Sequence, residues 1–291
     1  MATGHPQNRP LRVSFLLEIS LPLTMKPAQP ARIHLLPAKR SPYVLVIRRK
    51  PSKCFHIIRW NTKSDRLEHG SWFNGKLYPK RCDISFNGQW MIYLAMGDSG
   101  NTWNGVCRLP YLRTVVEGPN MGTWFGGGYW RDRQTLLLNQ WQPTKGSIPF
   151  KIDQLKAEFG GEDLGVLYPK WERDGWRRRS DNYGTNEIKT LAKYTVECIG
   201  DDGWISQPSR QHPALIAQYI GYLAHGCTFR FSLDRFPELL DDRVDSACWD
   251  SLGNLVYSRE GILYKYSLDD IKAGRSGAVI DLESLMPNQS E

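Results

Sequence analysis

The chain has 291 residues, 41% hydrophobic and 23% charged, a balance ordinary for a globular protein and far from that of a disordered one. No stretch approaches about 18 uninterrupted apolar residues, which excludes a transmembrane helix from the sequence. The formal net charge of +8 is uneven: residues 1–81 hold 16 Lys/Arg against 3 Asp/Glu, and residues 82–291 hold 22 against 27. The 11 Trp and 13 Tyr suit half-buried pleated strands, and 26 Gly with 18 Pro interrupt any long amphipathic helix.

In chain order, "RPLRVSFLLEISLPLTM" sets two arginines before an apolar run, as a secretory signal does, but Glu18 and Pro22 break the run. No small-residue cleavage site follows, and Met25 opens a more ordinary start. Residues 1–30 are therefore expected to be a disordered or over-extended N-terminus on a cytoplasmic protein. The alternative is a secreted or periplasmic protein for which residues 1–24 act as the signal. "ARIHLL" (31–36) is the first strand-like segment, and "IRRKPSK" (47–53) with "YPKRC" (78–82) concentrates Arg48, Arg49, Lys50, Lys53, Lys80 and Arg81. Such a basic patch attracts nucleic acid or another polyanion, acidic lipid headgroups or an acidic protein; Lys and Arg also guard exposed strand edges.

"HIIRWN" (56–61) reads as a strand before a polar turn. "DISFNGQWMIYLAM" (83–96) puts a glycine in a turn and resumes with an apolar strand, and "DSLGNLVY" (250–257) does the same. "YWRDRQTLLLN" (129–139) keeps the polar turn without the glycine. "TWFGGGYW" (123–130) lacks a phosphate-loop lysine and spacing, and reads as a glycine kink with close backbone packing. An aromatic-x-aliphatic-acid signature recurs at 150–153, 194–197, 231–234 and 266–269. These are expected to be equivalent strands of successive units, because repeats of roughly 40 residues mark propeller blades.

"KWERDGWRRRSDNYG" (170–184) is read as a loop in which Trp171 and Trp176 interleave with Arg173, Arg177, Arg178 and Arg179, stacking surfaces beside planar cations. Glu172, Asp174 and Asp181 offset much of that charge, so local ion pairs compete with a partner-binding surface.

No metal, cofactor or catalytic residue is expected. Cys54 and His56 share a strand face but have no second ligand pair nearby, and no G-x-S-x-G elbow exists. The six cysteines form no C-x-x-C pair and read as reduced structural thiols. Asp83 and Asp250, beside the turns, read as acceptors for turn amides or as acids facing a channel.

With these residues in view, "DISFNGQWMIYLA" resembles the blade turn of WD40-like and TolB-like β-propellers, with Asn87 where that family prefers Asp. "IIRWN" (57–61) resembles the strand that there ends in Trp-Asp, with Asn61 as the departure. The overall pattern is similar to that of uncharacterised bacterial propeller-type proteins. The resemblance implies an all-β fold, a β-propeller of five or six four-stranded blades over residues 31–285, with a tail at 286–291; a β-sandwich is the alternative. It implies no activity. The function expected is a non-enzymatic binding or scaffolding module presenting loop surfaces to a protein partner, with a polyanion or nucleic acid as further candidates. A hydrolase acting on a glycan or peptide through channel-facing carboxylates is the alternative.

Overall fold

Strand follows strand with tight turns in the computed structural model, which describes Met1 and residues 29–156, 163–178, 203–206, 212–223 and 226–287. The first sheet is an antiparallel meander of β1 (Arg32–Pro37), β2 (Tyr43–Arg49), β3 (Cys54–Asn61) and β4 (Arg66–Asn74). Asn61, at the position the resemblance reserves for Asp, accepts from the Lys63 and Ser64 amides and so starts the turn into β4.

The second sheet begins with two short pieces, β5 (Lys76–Leu77) and β6 (Asp83–Ile84), separated by a 3₁₀ turn at Pro79–Arg81. Both lie against β7 (Trp90–Met96), and β8 (Thr102–Arg108) and β9 (Thr114–Glu117) complete the sheet. In the turn into β7, Ser85 Oγ accepts from the Gln89 and Trp90 amides. Gly88 there has φ +74°, and a Cβ on it would meet Tyr43 Cβ at 2.7 Å, so the glycine allows the turn to press on the first sheet.

The third sheet holds β10 (Gly128–Trp130), β11 (Thr135–Leu138) and β12 (Lys151–Gln154). Here β12 runs parallel to β11, because residues 139–150 cross back over the sheet before the strand begins. Asp132 Oδ1 accepts from the Gln134 and Thr135 amides and does without a glycine what Ser85 does. Then comes α1 (Leu164–Arg173), followed by the fourth sheet of β13 (Trp176–Arg178), β14 (Gly203–Ser206), β15 (Leu215–Leu223) and β16 (Gly226–Leu233). The fifth sheet is β17 (Val244–Trp249), β18 (Leu255–Arg259), β19 (Ile262–Tyr266) and, beyond the short helix α2 (Leu268–Ala273), β20 (Ala278–Asp281). Asp250 accepts from the Leu252 and Asn254 amides in the β17–β18 turn, as expected of a turn acid.

The fold is thus mostly β, in several sheets of which none closes on itself among the described residues. Apolar clusters join the first sheet to the second, the second to the third and the fourth to the fifth, while the third sheet meets α1 through Tyr129, Leu137 and Val166. One apolar cluster lies between the first and second sheets (Ile57, Met91) and another between the second and third (Ile92, Leu136). A third joins the fourth and fifth sheets to α1 (Leu215, Tyr257, Leu167). A further cluster joins the two ends of the described chain: Ile33 of β1 and Ile280 of β20 belong to it with Val256 and Leu263. Polar bonds reinforce that contact, with the Leu35 amide donating to Ser246 Oγ and Ser258 Oγ donating to the Ile33 carbonyl.

Three expectations need correcting. Residues 164–173 are helical where 170–184 reads as a loop. Leu164, Leu167, Tyr168 and Trp171 fall at i, i+3, i+4 and i+7, and this apolar face docks into the core despite Pro169 inside the helix. The aromatic-x-aliphatic-acid segments are not equivalent. Residues 151–153 lie in the third strand of their sheet and 231–233 in a fourth strand, whereas 267–270 start α2 through a capping box between Ser267 and Asp270. The segment 194–197 lies outside the described residues. The sheets are also not uniformly four-stranded, since the second has five strand segments and the third has three among the described residues.

Candidate binding site

Helix α1 sits where β1, β6, β13 and β17 converge, and it separates two cavities. His34, Leu167, Trp171 and Phe231 line both and form the partition.

The narrower cavity, about 280 Å³, is walled by ion pairs that leave no carboxylate idle. The Arg173 guanidinium spans two acids, with Nη1 2.5 Å from Asp83 Oδ2 and Nε 2.7 Å from Asp174 Oδ1. It also donates to the Trp130 carbonyl at 2.6 Å, while Asp83 accepts from the Trp130 amide at 2.9 Å. Lys39 completes the chain, 3.0 Å from Asp174. Burial pushes the Asp174 carboxyl up, but Arg173 and Lys39 outweigh it and hold the group below its usual value. Burial alone lowers the Arg173 guanidinium, and the two acids more than reverse that. Asp83 therefore bridges sheets and does not serve its own turn.

Lys170 is fully buried and donates to the Cys82 carbonyl at 2.7 Å, with the Lys80 carbonyl at 3.4 Å. Burial lowers its ammonium, which Asp83 partly opposes. His34 is held neutral by burial and by the nearby Lys170 and Lys80, which push its imidazole well below the usual 6.5.

The wider cavity, about 770 Å³, falls in the range of ligand-sized clefts. Its wall carries Arg32, Arg49, Lys53, Lys76 and Lys80. Lys53 pairs with Asp98 at 3.2 Å, and Lys80 is tied to the Cys227 carbonyl. Among the described residues no carboxylate lies within ion-pair distance of Arg32, Arg49 or Lys76. The Asp245 carboxyl in this wall accepts from the Ile33 amide at 3.4 Å, and burial pushes it up to about 6. At the rim, Ile220 is 46% exposed, and Trp124 is 63% exposed beside Thr123 of the wall.

The twelve residues singled out from the sequence are dispersed by strand and helix geometry. Arg48 and Arg49 are consecutive on β2 and so point to opposite sides. Arg48 is fully buried and donates to the Leu282 carbonyl at 2.6 Å and the Glu283 carbonyl at 2.9 Å, tying the first sheet to the end of the fifth. Lys50 pairs with Glu283. Arg81 is fully buried, bonded to Asp163 at 3.1 Å and to the Thr123 and Phe125 carbonyls. Of the basic patch, Arg49, Lys53 and Lys80 reach the wide cavity. In the second group, Trp171 and Trp176 stack on each other with centroids 5.1 Å apart, packed in or against the core, and Arg173 is in the ion network. Arg177 is exposed on β13, Arg178 lies on the same strand, and Arg179 lies outside the described residues. No set of stacking faces interleaved with cations forms there among the described residues. Sequence reasoning passed over Arg32, Lys76 and Trp124, although "RIHLLP" and "VIRRK" place arginines at the ends of two adjacent strand-like segments.

Among the described residues no cluster of His, Cys, Asp or Glu has the geometry of a metal site, and no helix is long and apolar enough to cross a membrane. The five described cysteines are unbridged and buried, and burial pushes the Cys82 thiol up to about 12 and the Cys227 thiol to about 11, far from a nucleophile's range. The Gly126–Gly128 run is a close backbone approach, since a Cβ on Gly127 would meet the Arg81 carbonyl oxygen at 2.2 Å.

No family model matches the chain, and no curated protein matches it. Among solved structures it is similar to the uncharacterized protein lmo1340 from Listeria monocytogenes EGD-e. That likeness has 11% identity over 89% of this chain and 85% of the other, with a TM-score of 0.30, too distant for any inference about fold or activity.

Proposed function

We propose that the five sheets are the blades of a β-propeller and that the protein is a non-enzymatic, cytoplasmic binding module. Its wide cavity face receives an acidic segment of a protein partner. Support for the propeller comes from the order of packing, first sheet on second, second on third, fourth on fifth, and fifth back on first. Unbridged cysteines support a reducing compartment. The observation that carries the binding reading is the meeting of Arg32, Arg49 and Lys76, none within ion-pair distance of a described carboxylate, with the exposed Ile220 in one concave wall, next to whose Thr123 the chain carries the exposed Trp124. Cations supply steering and orientation, and exposed aromatic and aliphatic groups supply the contact area of a docking surface.

Fluorescence anisotropy with a labelled polyglutamate peptide tests it. The wild type should bind at low salt and progressively release the peptide as salt rises, while Lys76→Glu and Trp124→Ala each bind more weakly. Equal binding by both variants would remove this face from consideration. The hydrolytic alternative has one observation in its favour, the Asp245 carboxyl pushed up to about 6 in the same wall, which is the range of a general acid. Against it, Asp83, Asp174 and Asp163 are each held by a cation.

A further inference from the structure

Arg32 and Arg49 are directly opposite one another in the β1–β2 register, which puts their Cβ atoms about 4.5–5.5 Å apart on one side of the sheet. Like charges directly opposite repel, so a pair placed this way costs stability unless something anionic lies between them. Other contacts hold the pair in place without neutralising it. Arg49 Nε donates to the Ser52 carbonyl at 2.5 Å, and its guanidinium lies 5.6 Å from the Phe55 ring centroid. That leaves its two terminal nitrogens with no acceptor among the described residues, and Arg32 has none either. Burial, and then Arg32 itself, lower the Arg49 guanidinium from its usual value, as expected for two cations crowded in a half-enclosed wall. The nearest described acid acting on Arg32 is Asp245, which lies beyond ion-pair distance and accepts from the Ile33 amide with one oxygen, so a single carboxylate faces the two guanidinium groups from further off.

We infer that Arg32 and Arg49 form a seat for a phosphate monoester, a phosphorylated side chain of the partner that docks on the wide cavity. This rests on the binding reading above. Two planar forks side by side present more charge and more donors than one carboxylate satisfies. A phosphate monoester carries a charge of about −1.5 to −2 and three strong acceptor oxygens, which matches both forks at once. The cavity, about 770 Å³, has the volume to admit such a side chain while the exposed Ile220 of its wall offers apolar contact to the peptide around it.

Calorimetric titration of the full chain with three probes decides it: a short phosphoserine peptide, the same peptide with glutamate at that position, and inorganic phosphate. The phosphoserine peptide should bind at least about tenfold more tightly than the glutamate peptide, equivalent to about 1.4 kcal/mol. Arg32→Gln and Arg49→Gln should each abolish that preference. Arg49→Lys should lose most of it, because an ammonium keeps the charge but not the fork. Without ligand, both glutamine variants should melt at or above the wild-type temperature, since one of two repelling charges is gone. A merely structural arginine would give a lower melting temperature. Equal affinity for the two peptides, or a double glutamine variant that keeps the preference, overturns the phosphate seat and leaves the acidic docking face standing. Binding of inorganic phosphate alone overturns the docking of a phosphorylated partner, and no binding of any probe overturns both readings.

Discussion

The two cavities on either side of α1 treat charge in opposite ways. In the narrow one, Asp83, Asp174, Arg173 and Lys39 form a closed chain whose members are buried or half-buried and answered by a partner. In the wide one, Arg32 and Arg49 are set against each other with no described carboxylate within ion-pair distance of either, Asp245 acting on Arg32 only from further off. Buried charges must be paired or they shift and neutralise, so the first arrangement is what a core requires. Two cations placed directly opposite each other without an ion-pair partner have no such structural reason, although other cations of the same wall, Lys53 and Arg230, are paired. The difference separates charges that hold sheets together from charges available to something outside the chain.

The strongest test of that contrast is Arg173→Met. It leaves Asp83 and Asp174 buried with their main cation gone, and loss of one partner from a buried pair costs about 3–5 kcal/mol. Urea denaturation should therefore show a large fall in midpoint, whereas Arg49→Gln should show none. A small effect at Arg173 would mean the network is solvated and the contrast false.

An intermediate effect belongs to the partition. Because the His34 imidazole titrates well below 6.5 in the folded protein, the unfolded chain takes up its proton first as pH falls. The stability that His34 contributes is complete above 6.5 and is lost progressively as pH drops towards the folded value. His56, stacked on Trp72 with centroids 4.0 Å apart and lowered by burial to about 4, adds a similar slope between 6.5 and 4. Chemical denaturation across that range should show a decline that His34→Gln makes shallower without removing it. An unchanged slope would show that His34 is not held neutral.

The smallest effect is expected where a charge is paired but exposed. Lys53 and Asp98 have side chains 74% and 67% exposed, and such pairs contribute about 0.2–1 kcal/mol. Lys53→Ala should leave the urea midpoint nearly unchanged, and a loss comparable to that of Arg173→Met would make the wide cavity a structural element too.

How much of this was readable beforehand follows from which interactions are local. The turns at Ser85, Asp132 and Asp250 were legible because a side-chain oxygen reaches amides two to five residues away, and that geometry is written in adjacent letters. Strand alternation was equally legible, and it supplied the β content. The helix α1 was not, because Gly165 and Pro169 disfavour it locally and only packing between the sheets outweighs that cost. The basic run at 47–53 shows the limit most plainly. Sequence determined that Arg48 and Arg49 would point to opposite sides of a strand. Only tertiary structure decided that one side meets the Leu282 and Glu283 carbonyls, more than 230 positions away, and the other opens on a cavity shared with Arg32. A residue's own letter fixes its charge, but what neutralises that charge depends on which distant backbone the fold brings within about 3 Å.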